Sequence, residues 1–411
     1  MDKPSALIVG AGIAGPTLAF WLNRRGFEVT VVEAAPGPRA GGQAVDIRGS
    51  ARAVCERMGL LEQLRAHHTG VTGMSLVDER GGEIARLAND VMGDSGGFIA
   101  DLEILRSDLA DLLYARSRDG VEYVFGDTVT GLAEDAGGVD VSFRHRPPGR
   151  FRVVVGADGV HSAVRRRVFG PEQDLVRDLG VSVAIFRMPA QDPGSHYRVH
   201  TLPARAGEPR GRTAAIYPLP HRNEQIGMLF FPKPAGDPET AFASDGWEVP
   251  SLLEAMRRAP DLFVDDALQV HPPTWWRGRI GLLGDAAYAG SALGGNGTST
   301  AIVGAYVLAG ELASRWPDHE AAFTRYQAGM AEFVRRCQDM AGGGVEFHAP
   351  GSRLRYWFMT QMMRTLPLVP WRGAVMIGMQ KTANLVAIRD YEVAPGSGGG
   401  GEPETRPLVL S

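Results

Sequence analysis

The chain opens with an unbroken apolar run, Ala6-Leu7-Ile8-Val9, which predicts a strand buried on both faces of a parallel sheet. A glycine turn follows, and then a helical pattern from Pro16 to Arg25 that Gly26 stops. Phe27 to Val32 predicts a second strand with Glu33 at its end, completing the start of a βαβ unit. From Gly70 to Leu87 the positions alternate about a Gly81-Gly82 turn, which predicts an antiparallel hairpin. Leu105, Leu109, Leu112 and Leu113 share one face of a helix expected from Ile104 to Ser117. Val139 to Phe143 and Arg152 to Val155 predict strands around Pro147-Pro148-Gly149.

The pattern changes at Val181. From there to about Val270, short β-like runs (Val181 to Phe186, Thr213 to Tyr217, Ile226 to Phe231) alternate with Pro- and Gly-rich turns. They predict an inserted antiparallel sheet facing a ligand. The buried-strand pattern returns at Ile280 to Leu283, followed by a glycine-rich loop and a helix from Thr300 to Arg315. The fold class expected is therefore α/β, with an early domain resumed late in the chain.

Composition narrows the function. Among 411 residues, 44% are apolar and 22% charged, which excludes a disordered or fibrous chain. The 43 basic and 47 acidic residues leave a net charge of -4, so no overall positive field exists to hold nucleic acid. Cys55 and Cys337 lie far apart without metal-ligand spacing, which excludes a disulfide framework and points to a cytoplasmic setting. No secretory signal precedes the first strand. The best membrane candidate, Trp357 to Met379, is broken by Arg364, Pro367, Pro370 and Arg372. Two docked amphipathic helices are expected there, with no integral membrane contact.

The turn Gly10-x-Gly12-x-x-Gly15 lies between a buried strand and a helix, which is where a dinucleotide fingerprint belongs. Gly10 permits the tight turn, Gly12 lets a pyrophosphate approach the backbone, and Gly15 lets the helix pack on the strand. The helix start, with Ile13 and Ala14, supplies amide donors. Glu33, followed by Ala34, is placed to bind a ribose 2′-hydroxyl. The ligand is FAD or NAD. Two later elements favour FAD. Val155-Gly156-Ala157-Asp158-Gly159 runs from a strand into a turn and a basic helix start. Ile280-Gly281-Leu282-Leu283-Gly284-Asp285 is a second strand ending in Gly-Asp, and Gly294-Gly295-Asn296-Gly297-Thr298 then leads into a helix. An aspartate suits ribityl hydroxyls, and a second helix N-terminus suits the negative charge of a reduced flavin.

In order and spacing these three elements resemble the single-component FAD-dependent aromatic hydroxylases, the para-hydroxybenzoate-hydroxylase-like flavoprotein monooxygenases. The likeness covers roughly residues 5 to 393. Arg39-x-Gly41-Gly42-x-x-x-Asp46 and the closing Asp390-Tyr391 are similar to the tetracycline-inactivating branch. The resemblance implies a Rossmann-like FAD-binding domain (1–180, resumed at 271–345) with an inserted antiparallel-sheet substrate domain (181–270). C-terminal helices (346–393) and a disordered tail (394–411) complete it, and the 70–100 hairpin is expected to join the substrate sheet. It also implies that Glu33 binds the adenosine ribose, Arg106 the ribityl or phosphate region, and Asp46 and Asp285 the FAD. Arg39 is implied to contact NADPH, and Asp158 to support the pyrophosphate region. Two positions depart from the family pattern. Tyr288 replaces a histidine, and Ala292 replaces a proline beside the reactive edge of the flavin.

Other residues read as structure. His67-His68 fits a surface turn, Trp275-Trp276 fits packing, and Arg165-Arg166-Arg167 fits a solvated face. Tyr217 and Phe230-Phe231 suit pocket lining and core packing equally. Ser162 and Ser291 lack the partners of a nucleophile elbow. The expected function is an FAD-dependent monooxygenase that consumes NADPH or NADH and O2. Through a C4a-hydroperoxyflavin it would hydroxylate an aromatic or polycyclic small molecule, as a monomer or homodimer. The alternative is an FAD-binding protein whose flavin transfers no oxygen. A flavin-dependent halogenase would carry Trp-x-Trp-x-Ile-Pro, which Trp275-Trp276-Arg277 does not match.

Overall fold

A computed structural model of the chain describes residues 3–38, 41–88, 102–190, 194–368 and 382–391. One layer is a six-stranded sheet in the order Trp276–Arg277, Ile280–Leu282, Val153–Gly156, Ser5–Val9, Glu28–Glu33, Val121–Phe125. All neighbours are parallel except the edge pair Trp276–Arg277 and Ile280–Leu282. The unbroken apolar runs occupy its centre. Leu7, Ile8, Val153, Val154 and Val155 are wholly buried, as strands covered on both faces must be. The Ala14–Arg24 helix packs against the Gly297–Arg315 helix, where Trp21 and Tyr306 meet edge-on at 4.9 Å.

The second layer is a seven-stranded sheet in the order Phe263–Val270, Val176–Pro189, Glu224–Pro232, Arg212–Leu219, His196–Leu202, Gly73–Val77, Glu83–Ala88. It differs from the sequence expectation in being mixed. His196–Leu202 runs parallel to Gly73–Val77, which arrives from the early hairpin across much intervening chain. The long strand also begins at Val176, ahead of the Val181 read from hydrophobicity, because Arg177 and Asp178 interrupt the apolar pattern but not the pairing. Alternation divides this sheet into two faces. Val183, Ile185, Tyr217, Met228 and Phe230 lie on the face that packs with Leu105 and Leu293 of the first domain. Phe186, Ile216, Leu229 and Phe231 face away, against Leu252, Leu253 and Met256 of the Val249–Arg258 helix.

A single helix of 30 residues, His319–His348, crosses position 345, where the sequence reading divides the domains. The next helix, Arg353–Thr365, is capped by Ser352 and docks through Thr360 and Met363, leaving Leu354, Trp357 and Phe358 exposed. Residues 369–381 of the expected closing helices, Arg39 and the 394–411 tail lie outside the described residues. Residues 382–391 clasp the first domain. The Ser50 hydroxyl donates to the Val386 carbonyl at 2.6 Å, and the Tyr391 hydroxyl donates to Glu311 at 2.9 Å. Among the described residues, no helix is long and apolar enough to cross a membrane.

Candidate functional site

The three fingerprint glycines are required for different reasons. A Cβ on Gly15 would stand 1.9 Å from the Gly10 carbonyl oxygen. One on Gly10, whose φ is +108°, would stand 2.4 Å from the carbonyl of Ala157. Packing thus dictates both. Gly12 is different, since the first atom a Cβ there would meet is the Arg106 guanidinium at 4.0 Å. Its backbone faces open space beneath a cation. The helix that follows starts at Ile13 without a side-chain cap, so its first amides are left for an outside acceptor. Glu33 holds the turn in place by accepting from the amides of Ala11 at 2.8 Å and Ala35 at 2.9 Å.

The Gly-Ala-Asp-Gly element acts from behind this turn. Asp158 accepts from the Ser162 hydroxyl at 2.5 Å and from the amides of Ala163 and Val164, so its carboxylate caps the Ala163–Val168 helix. Burial pushes its pKa up, and these donors pull it back. The next residues correct the sequence reading. Arg165 is not part of a solvated face but wholly buried. It donates to the carbonyls of Ala286 and Val160 and pairs with Glu172 at 3.4 Å. Arg165 therefore ties the first aspartate turn to the second.

That second turn completes the recess. Gly284 has φ +63°, and a Cβ there would meet Ala14 at 3.0 Å, which brings the Gly-Asp turn onto the start of the first helix. Asp285 is reachable from solvent at the bottom of a recess walled by protein. Burial raises its pKa, while the Arg106 charge opposes the rise. Gly297 opens the Gly297–Arg315 helix directly beside Asp285, 3.6 Å from where its Cβ would stand, and no side chain caps that helix. Gly295 is exposed with φ +67°, and Thr298 is buried in the first turn. Arg106 packs over Gly42 and begins the Arg106–Ser117 helix. The short ribbon formed by Ala44–Asp46 and Glu103–Leu105 runs alongside, with Asp46 paired to Arg48 at 2.7 Å.

Gly12, Arg106, Asp285 and Gly297 thus converge, whereas Asp158 and Glu33 shape the turns around them. An anionic pyrophosphate needs amides and a cation, and a polyol needs a carboxylate. The recess offers each of these, and FAD fits the donor set.

Sequence reasoning missed Glu103 and His348 nearby, and noted Tyr288 only as a departure from the family pattern. Glu103 is buried at 7% exposure, accepts from Tyr217 and from Thr69 at 2.9 Å, and faces Asp46 across the ribbon. Burial first, and then Asp46, push its pKa up to about 8. An acid within the apolar stretch Leu102-Glu103-Ile104-Leu105 was the available signal. Tyr288, at the family's histidine position, is core. It lies 4.7 Å from Trp275 with its hydroxyl over Gly304, where a Cβ would stand 2.1 Å away. His348 lies at the end of the long helix against Phe230.

Comparison with known proteins agrees with this geometry. Residues 3–340 match a family model described as an FAD binding domain. An uncharacterised protein of Mycobacterium tuberculosis is 40% identical over 355 residues, covering 84% of this chain and 95% of its own length. A flavin-dependent monooxygenase from an unidentified prokaryote is 34% identical over 346 residues, covering 81% and 87%. Among solved structures, the tetracycline destructase Tet(55) superposes with a TM-score of 0.77 at 29% identity, covering 94% of this chain and 98% of its own. With a cradle fitted to FAD and relatives matching along most of its length, the chain belongs to the FAD-dependent aromatic hydroxylase family of flavoprotein monooxygenases.

Proposed function

We propose that the protein consumes NADPH or NADH and O2 to hydroxylate an aromatic or polycyclic small molecule. The observation that carries this reading is the place of Arg106, which stands over the Gly12 turn and lowers the proton affinity of Asp285. When bound, FAD would take a hydride from the nicotinamide and activate O2, so that one oxygen atom enters the substrate and the other leaves as water.

The residues of this chain bind, orient and exclude water. Arg106 and the amides after Gly12 would hold the phosphates, and Asp285 would accept from the ribityl hydroxyls. The uncapped Gly297–Arg315 helix points its positive end at the same recess and would stabilise negative charge on the reduced ring. The inner face of the substrate sheet, with Val183, Ile185, Met228 and Phe230, keeps an apolar surface above it. Asp46 would support the FAD from the ribbon, and Arg39 would contact the NADPH phosphate. The chain carries no second dinucleotide fingerprint, which supports transient binding of the nicotinamide.

The test is oxygen-18 incorporation from ¹⁸O2 by the purified yellow protein with NADPH or NADH, against simple phenols, phenolic polyketides and tetracyclines. Labelled hydroxylated product is the expected result. Hydrogen peroxide as the sole oxygen product across the panel would leave the non-oxygenating alternative in its place.

A further inference from the structure

His348 is the last residue of the long His319–His348 helix, and two contacts fix where that helix ends. Four residues earlier, Gly344 is pressed against the cofactor loop, since a Cβ there would stand 1.9 Å from the Leu293 carbonyl oxygen. Leu293 lies between Asp285 and Gly297, so a helical rise of ~1.5 Å per residue sets His348 about 6 Å along the axis from the loop. The Thr213 hydroxyl donates to the His348 carbonyl at 2.7 Å and pins the helix end to the inner face of the substrate sheet.

The imidazole has a defined plane and an unfilled hydrogen-bonding capacity. It stacks on Phe230 with centroids 4.0 Å apart and planes at 21°, and Phe347 meets it edge-on at 4.8 Å. Its Nδ1 is enclosed with no hydrogen-bond partner among the described residues, although the residue as a whole is only half-buried. The opposite ring edge is therefore the open one. An enclosed N–H without an acceptor is disfavoured, which leaves Nδ1 bare and places the hydrogen on Nε2. Burial pushes the pKa of the ring down to about 3, so at neutral pH it is an uncharged donor. The apolar neighbours on this face are Val183, Ile185, Met228 and Phe230, and Glu103, hydrogen-bonded to Tyr217 of the same face, has its pKa pushed up to about 8 and stays protonated below that. Such a surface disfavours a carboxylate, whose burial needs a cation.

We propose that His348 is a substrate-binding residue whose Nε2–H donates to a carbonyl oxygen, so that the preferred substrate is an uncharged aromatic ketone or quinone rather than an aromatic acid. This deepens the monooxygenase reading and rests on it for the location of the substrate.

Three probes sharing one ring system test the assignment by calorimetric titration of the FAD-loaded protein: 1-hydroxy-2-acetonaphthone, carbonyl-free 2-ethyl-1-naphthol, and anionic 1-hydroxy-2-naphthoate. The ketone should bind about tenfold more tightly than either of the others, with the same ratio at pH 5.5 and pH 7, where Glu103 keeps its proton. In His348→Phe the ratio should fall to within about twofold while FAD content stays unchanged, and His348→Gln, which keeps a side-chain donor, should recover part of it. Equal binding of the three probes to the wild type, tighter binding of the naphthoate, or a ketone preference that survives in His348→Phe would overturn the proposal. The wild-type titrations decide it even where a variant fails to fold. Oxygen-18 transfer is read separately. A protein that selects the ketone but transfers no oxygen refutes the monooxygenase reading and keeps the His348 contact, whereas transfer without selection does the reverse.

Discussion

The six-stranded sheet presents backbone at its candidate site, and the inner face of the seven-stranded sheet presents side chains. The cradle works through what is missing: Gly10 and Gly15 leave room for carbonyls, Gly12 leaves room for a ligand, and two helix starts leave their amides uncapped. The other region works through what is present. Tyr217, Thr69 and Glu103 join one hydrogen-bonded cluster from positions up to 148 residues apart. A backbone cradle accepts one ligand shape and tolerates almost no substitution. A side-chain surface can change residue by residue without disturbing the sheet beneath it. With cofactor and substrate bound as proposed, their specificities would be under different constraints within one chain.

Substitution can break this contrast, most severely at Gly10. Gly10→Ala combines a left-handed φ with a clash against Ala157, together more than ~3 kcal/mol. Urea unfolding and the flavin absorbance of the purified variant should show a destabilised, FAD-depleted protein. Near-normal FAD content would mean that the turn is not held by packing. A smaller effect is expected at Asp285, the carboxylate proposed to accept from the ribityl hydroxyls. Asp285→Ala should weaken FAD binding by about ten- to a hundredfold, the worth of a charge-assisted hydrogen bond of roughly 1.5–3 kcal/mol. Fluorescence titration of the apoprotein measures it, and unchanged affinity would place the ribityl chain elsewhere.

The most conservative substitution addresses the side-chain region through Glu103. Its carboxyl titrates at about 8 in the folded protein and at 4.5 when unperturbed, so the folded state holds the extra proton between these values. Its contribution to stability is complete below pH 4.5 and is lost as pH rises toward 8. Glu103→Gln removes that dependence. Between pH 5 and 8 the stability of the wild type should fall relative to the variant by up to ~1.4 kcal/mol per pH unit. Parallel urea midpoints across that range would show that Glu103 ionises normally.

The same contrast explains what could be read from the sequence. The first strand, its glycine turn, Glu33 and the later Gly-Asp element are contiguous or nearly so, and each carries its geometry in residue type. Arg106 required the family resemblance, because nothing in its surroundings distinguishes it from other helix-starting arginines. Arg165 was misread since three successive arginines look solvated, and only the fold brings the carbonyl of Ala286 over one of them. His348 was not legible at all. Its environment is made by Phe230 and Thr213, which are distant in sequence, and by the end of the 30-residue His319–His348 helix. The resemblance led to the early hairpin being expected in the substrate sheet, but the parallel orientation of Gly73–Val77 against His196–Leu202 was hidden, because orientation across a domain boundary leaves no local trace.

The order of strands in the parallel sheet has a consequence for biosynthesis. Ser5–Val9 finds one neighbour, Glu28–Glu33, almost at once, but the other, Val153–Gly156, leaves the ribosome much later. That strand in turn waits for Ile280–Leu282, which delivers Asp285, and the clasp on Ser50 and Glu311 comes only with residues 382–391. The first strand of the sheet therefore belongs to a candidate site that a much later segment of the chain, ending in Asp285, completes. Flavin binding is expected to wait for the Gly297–Arg315 helix, and until then the apolar core strand Ala6–Val9 needs cover from early helices or chaperones.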